Sequence, residues 1–403
     1  MSDQIQLPVP DTAALEHSAQ VSQFIRRQIA EAGGWIDFSE YMQLALYAPG
    51  LGYYSAGAHK FGESGDFVTA PEVSPLFSSC IARACVDLSY GSDGSSGPPT
   101  ILELGAGTGA MALEILQTLQ RLNAVPDRYL ILEVSADLRE RQRRLIAEQA
   151  PDLAERVVWL DDLPAAPITG VIVANEVLDA QPVTRFVVDE DNQICILGVE
   201  ATRSGFGWGR RPAGKELQEQ ILQLAHDLDV VWPPGYASEW SPVLDGFIAG
   251  LSQSLERGLI LLIDYGLPMQ AFYAPERSSG TLVCHYRHRM HADPFFYPGL
   301  QDITAWIDFT RVANAASTAD LDVLGFTTQA QFLLTGGVEE EFALLMERSG
   351  AAQDPREQIR IAAGLKTLMM PGQMGENFKV MALGRQLPQG PASICANDLL
   401  HLL

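Results

Sequence analysis

Apolar positions along the chain change period three times. From about residue 13 to residue 32, Leu15, Val21, Phe24, Ile25 and Ile29 recur at helical spacing, and Gly33-Gly34 closes the run. A second helix is expected from residue 39 to 47, capped by Asp37 or Ser39 and ended by Pro49-Gly50. Ser74-Pro75 supplies the N-cap and first position of a third, running through Phe77, Ile81, Ala84 and Leu88. From residue 100 short apolar runs alternate with helical stretches. Strands are expected at 101–104, 129–134, 156–160, 170–174 and 258–264, the alternation of a doubly wound parallel sheet. About 80 residues separate the fourth strand from the fifth. They hold a hairpin, 186–189 with 194–199, turning at Asp191-Asn192, and amphipathic helices near 215–228 and 241–256. An insertion there lies over the carboxyl ends of the strands, where ligands bind, and reads as a substrate-choosing element rather than a separate domain. Residues 266–299 read as an aromatic, His- and Arg-rich loop, followed by helices at 302–316, 328–348 and 355–369 and an antiparallel edge strand at 377–383. The run 91–99, G-S-D-G-S-S-G-P-P, is the clearest linker. The expected division is a helical extension and flap over 1–92 and a core over 93–403, with an insertion at about 184–256.

The stretch 100–110, T-I-L-E-L-G-A-G-T-G-A, organises the rest. A buried-type strand runs into three glycines at alternate positions, and a helical pattern begins at once. Strand, glycine turn and helix place a ligand at a helix N-terminus. Gly105 permits the turn, Gly107 lets a ligand approach the backbone, and Gly109 allows helix and strand to pack closely. The spacing G-x-G-x-G suits S-adenosylmethionine, and with Ala110 it also satisfies the relaxed dinucleotide pattern. A glycine turn that binds nothing is the plain alternative.

Glu133 ends the second strand, where an acid accepts hydrogen bonds from both ribose hydroxyls of an adenosine; a surface Glu beside a helix start is the alternative. Asp161 and Asp162 follow the third strand, placed to receive an adenine amino group or to cap a helix. Asn175 and Glu176 follow the fourth, and Asp179 shares a face with Glu176 if that turn is helical. An acidic cleft suits a cationic sulfonium donor, which has no phosphates to cradle, and suits a cationic acceptor equally. The glycine-rich segment 51–72 carries Tyr53, Tyr54, Phe61 and Phe67, and reads as a closing flap or as a structural Ω-loop. Cys284, His285, His288 and His291 would spread around a helix instead of stacking on one face, with arginines between them, which disfavours a metal.

Composition narrows the function classes. A formal net charge of −23 over 403 residues repels phosphate backbones and argues against a nucleic-acid partner. The five cysteines are scattered without a C-x-x-C pair and read as reduced thiols. No apolar run approaches the ~20 residues of a membrane span. The N-terminal residues lack signal- and transit-peptide features, so the cytoplasm is the expected location.

Five segments together resemble one family. L-E-L-G-A-G-T-G resembles the donor motif of class I methyltransferases. G-D-F-V-T-A-P-E-V-S-P-L-F (65–77), N-E-V-L-D-A-Q-P-V (175–183), I-D-Y-G (263–266) and P-G-L-Q-D-I-T-A-W-I-D-F (298–309) resemble the MidA family. Its mitochondrial members are protein arginine methyltransferases that help assemble respiratory complex I. The resemblance spans roughly residues 30–385. It implies an α/β fold: a Rossmann-like class I methyltransferase sheet with helices on both faces, an N-terminal helical and loop extension, and an insertion after strand four. It implies S-adenosyl-L-methionine as donor, held by Gly105, Ala106, Gly107 and Glu133, with Asn175 and Glu176 near the transferred methyl; Glu103, Gly109, Asp161, Asp162 and Asn175 are further candidates for donor binding from their positions at the strand ends and the glycine turn. Segments 65–72 and 264–266 would wall the acceptor pocket. It implies a protein substrate, possibly a respiratory-complex subunit. An arginine guanidinium stays protonated below pH ~12 and needs a carboxylate to polarise it and take up its proton. Glu176 is the first choice for that role, and Asp179 or Asp66 the second. Three other classes fit the sequence: a donor-binding assembly factor without essential catalysis, a small-molecule methyltransferase, and a dinucleotide-dependent oxidoreductase.

Overall fold

The computed structural model describes residues 7–56, 69–87 and 99–403. They form two compact units. The larger unit holds the described residues from 69 to 178, with Asp245–Pro268 and Ile307–Leu403. Its strands are β1 (Thr100–Leu104), β2 (Tyr129–Leu132), β3 (Val157–Leu160), β4 (Ile168–Asn175), β5 (Leu255–Leu267), β6 (Asp322–Thr328) and β7 (Phe378–Arg385). They lie in the order β6-β7-β5-β4-β1-β2-β3. β1 to β5 run parallel, and β7 is antiparallel to both neighbours. This is the class I methyltransferase sheet. The expected edge strand is therefore internal: β6, which the sequence pattern did not reveal, lies outside it.

Strand alternation assigns one face to Ile101, Tyr129, Ile131, Val171, Val173, Leu259, Leu261 and Ile263, all fully buried. Helices Pro75–Val86 and Ala110–Arg121 bury Phe77, Ile81, Ile115 and Leu116 against it, and Ile146 of helix Ala136–Gln149 joins the same core. On the other face Phe309, from helix Phe309–Thr318, packs on Phe326 with ring centroids 5.2 Å apart.

The smaller unit comprises residues 7–56, Asp179–Leu244 and Met269–Trp306. Helix Thr12–Glu31 is capped by Asp11, and helix Phe38–Tyr47 by Asp37 rather than Ser39. The expected hairpin forms, Thr184–Val188 with Ile194–Ala201, and Asn192 takes the left-handed conformation at its turn. It belongs to a five-stranded sheet completed by Ile36–Asp37, Phe206–Pro212 and Ala237–Trp240.

Several expectations are corrected. The boundary at 92 separates nothing among the described residues, because helix Pro75–Val86 belongs to the larger unit. The segment after β4 is no isolated insertion: with residues 7–56 and 269–306 it forms a compact unit of its own. The segment 302–308 is extended rather than helical. Asp302–Thr304 pairs with Val283–Tyr286, and helix Phe309–Thr318 starts only where Asp308 accepts the N–H groups of Thr310 and Arg311. Cys284 and His291 face each other across a strand pair, so helical spacing does not describe them. The helix expected over 328–348 is two, Gln329–Thr335 and Val338–Arg348, with Gly337 left-handed between them.

At the amino ends of β4 and β5, Gly170 and Gly258 face each other in the ladder. A Cβ on Gly170 would lie 1.8 Å from the carbonyl oxygen of Thr100. Backbone cannot yield there without breaking the β1–β4 pairing. Gly170→Ala is expected to destabilise the protein by about 3 kcal/mol or more, read as a lower urea midpoint at unchanged slope.

Candidate functional site

β1 delivers the chain into a turn in which Gly105, Gly107 and Gly109 all take left-handed φ, at 65°, 53° and 87°. The Gly105 N–H donates to the Leu132 carbonyl, extending the β1–β2 ladder one step. A Cβ on Gly107 would meet nothing within 4 Å, so its backbone faces open space that a ligand can enter. Gly109 caps helix Ala110–Arg121, and a Cβ there would come within 3.1 Å of Gln142. The close approach it permits is to the next helix, not to its own strand. Ala106 is 7% exposed.

Glu133 follows β2 and is buried. Its Oε1 accepts from the Ser135 N–H at 3.0 Å and its Oε2 from Gln142 Nε2 at 3.2 Å. Burial pushes its carboxyl up, and the Ser135, Gln142 and Gly107 hydrogen bonds oppose that. Each oxygen keeps acceptor capacity for a further donor, as a ribose diol requires. Gln142 also donates to the Gly107 carbonyl at 2.8 Å and accepts from Trp159 Nε1 at 2.8 Å. It is fully buried and ties the glycine turn to the Glu133 carboxylate. Sequence reasoning passed over it. The available signal was an uncharged amide four residues before Ile146, on the buried stripe of an otherwise charged helix.

Glu103 is fully buried on the face shared with Ile101. Its Oε2 accepts from the Tyr129 hydroxyl at 2.6 Å, and its Oε1 has no hydrogen-bond partner among the described residues. Burial raises its carboxyl to about 7; the Tyr129 bond opposes this and Glu133 adds to it. Asn175, 7% exposed, likewise leaves Oδ1 without a partner among the described residues. Register places the two together: Glu103 pairs with Val173, and Asn175 is two residues further on the same face. An orphaned acceptor on each of two neighbouring strands fits the ammonium of an amino-acid ligand, a group that only donates.

Glu176 has φ 52°, a left-handed value that is strained for a side chain of its size. Its N–H donates to the Ile263 carbonyl at 2.9 Å, and its Oε1 accepts from the Ala70 N–H at 3.3 Å and from Asn175 Nδ2 at 3.2 Å. The expected helical turn is absent. Asp264, fully buried, accepts the Leu178 N–H at 2.9 Å and the Tyr265 N–H at 2.8 Å. Asp179 therefore shares no helical face with Glu176 and lies in the smaller unit. Asp161 and Asp162 are exposed after β3, and Asp161 pairs with Arg139 at 2.6 Å. Neither joins the buried set. Asp66 lies outside the described residues.

Two predictions follow from this geometry. Gln142→Leu keeps the volume of the buried contact but removes both tethers, and about tenfold weaker binding of S-adenosylhomocysteine is expected by calorimetry. Glu103 is protonated below pH about 7, and an ammonium ligand requires its anion. Affinity should rise with pH, being about tenfold weaker at pH 6 than on the plateau above pH 8; Glu103→Gln should flatten the profile. The charged and titratable neighbours are Tyr129, Glu133 and, against Tyr129, Cys85, and the last two groups to ionise are pushed far above this range. For the free protein the sign reverses. Between the ordinary value of 4.5 and about 7 the folded chain holds a proton that the unfolded chain has lost, so this group's contribution to stability falls as pH rises through that window.

Comparison with known proteins identifies the family and the donor. Residues 80–327 match the model of the family described as "Putative S-adenosyl-L-methionine-dependent methyltransferase". A protein of Burkholderia thailandensis whose crystal structure holds S-adenosylhomocysteine is 40% identical, with a TM-score of 0.90 over 99% of this chain and 100% of that one. The mouse mitochondrial protein arginine methyltransferase NDUFAF7 is 28% identical over 91% of this chain and 85% of its own. Its Drosophila melanogaster homologue is 27% identical over 93% and 87%. The chain belongs to this S-adenosyl-L-methionine-dependent methyltransferase family and uses that donor.

Proposed function

We propose that the protein methylates arginine side chains of a protein substrate, with Glu176 as the carboxylate that readies the acceptor. The observation that carries the reading is Glu176 itself: an ionisable group held in a strained backbone state at the carboxyl end of β4, next to Asn175. Curated relatives over most of the chain are named protein arginine methyltransferases, which supports the choice of acceptor.

The donor supplies a methyl on a cationic sulfur. The chain's own groups do the rest. Glu133 orients the ribose, Gly107 lets the ligand lie against backbone, and Glu103 with Asn175 fixes the amino-acid end. A guanidinium is a weak nucleophile because its lone pairs are delocalised and protonated. A carboxylate hydrogen-bonded to it localises electron density on the attacking nitrogen and takes up a proton during or after transfer. Glu176 suits this task because it is only half-buried at the carboxyl end of β4. Most of the acceleration comes from positioning and fixed charge.

The substrate identity extends the same reading. The resemblance to proteins that serve complex I assembly makes a respiratory-complex subunit the first client to test. A cytoplasmic location is proposed on the five unpaired cysteines.

Glu176→Gln is expected to lower transfer about 10²- to 10⁴-fold while leaving S-adenosylhomocysteine affinity within about threefold, measured with labelled donor and by calorimetry. Transfer at the parental rate would remove Glu176 from this role. Peptide mapping of cells with and without the protein should show methylarginine that depends on it. Methyl groups found only on small molecules would replace the protein substrate.

A further inference from the structure

One edge of the smaller unit's five-stranded sheet is open. The strand Phe206–Pro212 pairs antiparallel with Ile194–Ala201 and with no other strand among the described residues. Two bonds fix the parity of that ladder. The Ala213 N–H donates to the Ile194 carbonyl at 3.0 Å, and the Thr202 N–H donates to the Gly205 carbonyl at 3.0 Å. In this register the backbone groups of Gly207, Gly209 and Arg211 turn towards the partner strand, and those of Phe206, Trp208 and Arg210 turn away from it. Three N–H donors and their carbonyls therefore line the outer edge at every second residue. None of them takes a hydrogen bond among the described residues. Pro212 stands at the next outward position, where the ladder loses no N–H bond by it.

The side chains along this edge are exposed as well. Trp208 is 39% exposed although its ring packs on Phe38 and Phe295, each at 5.0 Å between centroids. Arg203, Arg210 and Arg211 are exposed, and none of the three forms an ion pair among the described residues. Arg211 lies over the Trp35 ring at 4.5 Å, on the face opposite Arg210. The chain has 50 acidic side chains against 27 basic ones, yet residues 202–215 hold Arg203, Arg210, Arg211 and Lys215 and no acid. The carboxylates beside the strand are Glu200, which lies against Gly209, and Asp189, which feels the charge of Arg210.

An unpaired edge with donors and acceptors in alternation is a template for an added strand. The alternation matches a polypeptide; a phosphate backbone only accepts. A second copy of the same edge would set arginines against arginines, which is destabilising. An acidic segment meets the opposite charge and gains both the ladder and the guanidinium contacts.

We propose that the edge Phe206–Pro212 binds an extended acidic segment of a partner protein as an added strand, with carboxylates beside Arg210 and Arg211 and an apolar side chain against Trp208. All of these residues belong to the smaller unit, and none serves donor binding or transfer. The proposal holds whatever group accepts the methyl.

The test uses the full chain, with calorimetry against a short capped peptide rich in glutamate and valine. A glutamine-for-glutamate twin should bind about tenfold more weakly, and a twin with N-methylated backbone amides should not bind measurably. Arg210→Gln keeps the outward N–H and should weaken the acidic peptide about threefold. Arg210→Pro removes that N–H without touching the ladder to Ile194–Ala201, and should weaken it about tenfold or more. Both variants should keep the parent's affinity for S-adenosylhomocysteine. No binding of the acidic peptide, equal binding of either twin, or an unchanged affinity in Arg210→Pro overturns the proposal. Should Arg210→Pro not fold, amide hydrogen exchange on the parent decides. The peptide should slow exchange at Trp208 and Arg210, and unchanged rates there overturn the site. A dimer in sedimentation that Arg210→Pro dissolves would give the edge to a second copy and overturn the acidic partner.

Discussion

A carboxylate with no access to water must be given donors by the fold, and Asp264 is that case. It sits late in β5, fully buried, and both of its oxygens take backbone N–H groups, from Tyr265 and from Leu178. An unmet charge at this depth costs several kcal/mol, so the two bonds are obligatory rather than incidental. Through the Leu178 N–H, Asp264 ties β5 to the chain leaving β4. The chain leaving β4 does not wind up at once, and Glu176 stands in a left-handed turn with its carboxylate accepting from Asn175 and the Ala70 N–H. The register Asn175 to Ile263 places Asp264 one step beyond the end of β4. A single buried acid thus anchors to β5 the short turn that carries Glu176.

The donor side follows from strand parity. Glu103 pairs with Ile131 on one side and Val173 on the other, and Glu133 and Asn175 each stand two residues beyond those partners. All three project to the same face, which further down the sheet is entirely apolar: Ile101, Tyr129 and Val171 are fully buried there. Polar groups replace apolar ones only at the carboxyl ends, where strands give way to turns. Gln142 then couples the elements. By bonding both the Gly107 carbonyl and the Glu133 carboxylate, it makes the glycine turn and the ribose-binding acid one rigid piece before any ligand arrives. Preorganisation of this kind spares the ligand the cost of ordering the site.

The core of this arrangement was legible because it is local. A short run, 101–104, apolar but for Glu103, three glycines and an amphipathic helix lie within about two dozen residues, and their periods are unmistakable. β4 and β5 were legible for the same reason. What escaped was non-local. β6 reads D-V-L-G-F-T-T, a pattern too polar for a central strand, and it is a strand because β7 lies alongside it. The segment 302–308 carries helix-compatible residues, yet its partners Val283–Tyr286 and Gly266-Leu267 hold it extended. The smaller unit is assembled from three stretches, none of which buries a face alone, so no linker composition announced it. Asp161 and Asp162 were chosen on position after a strand, which holds for any strand end. Only the side-chain environment shows them exposed.

Among the acids at the carboxyl edge, the roles separate by environment rather than by residue type. Glu103 and Glu133 are both buried, and burial raises both carboxyls. Glu103 receives one phenolic bond and stays close to neutrality near pH 7, whereas backbone and amide donors oppose the rise at Glu133. A group poised in this way responds to an incoming ammonium by ionising, and so reports ligand occupancy. A proton acceptor for a guanidinium has a different need: the substrate must be able to reach it. Of Glu103, Glu133, Glu176 and Asp264, Glu176 alone is only half-buried. Its strained φ is held by the bond from its N–H to the Ile263 carbonyl and by the Asn175 and Ala70 contacts to its carboxylate.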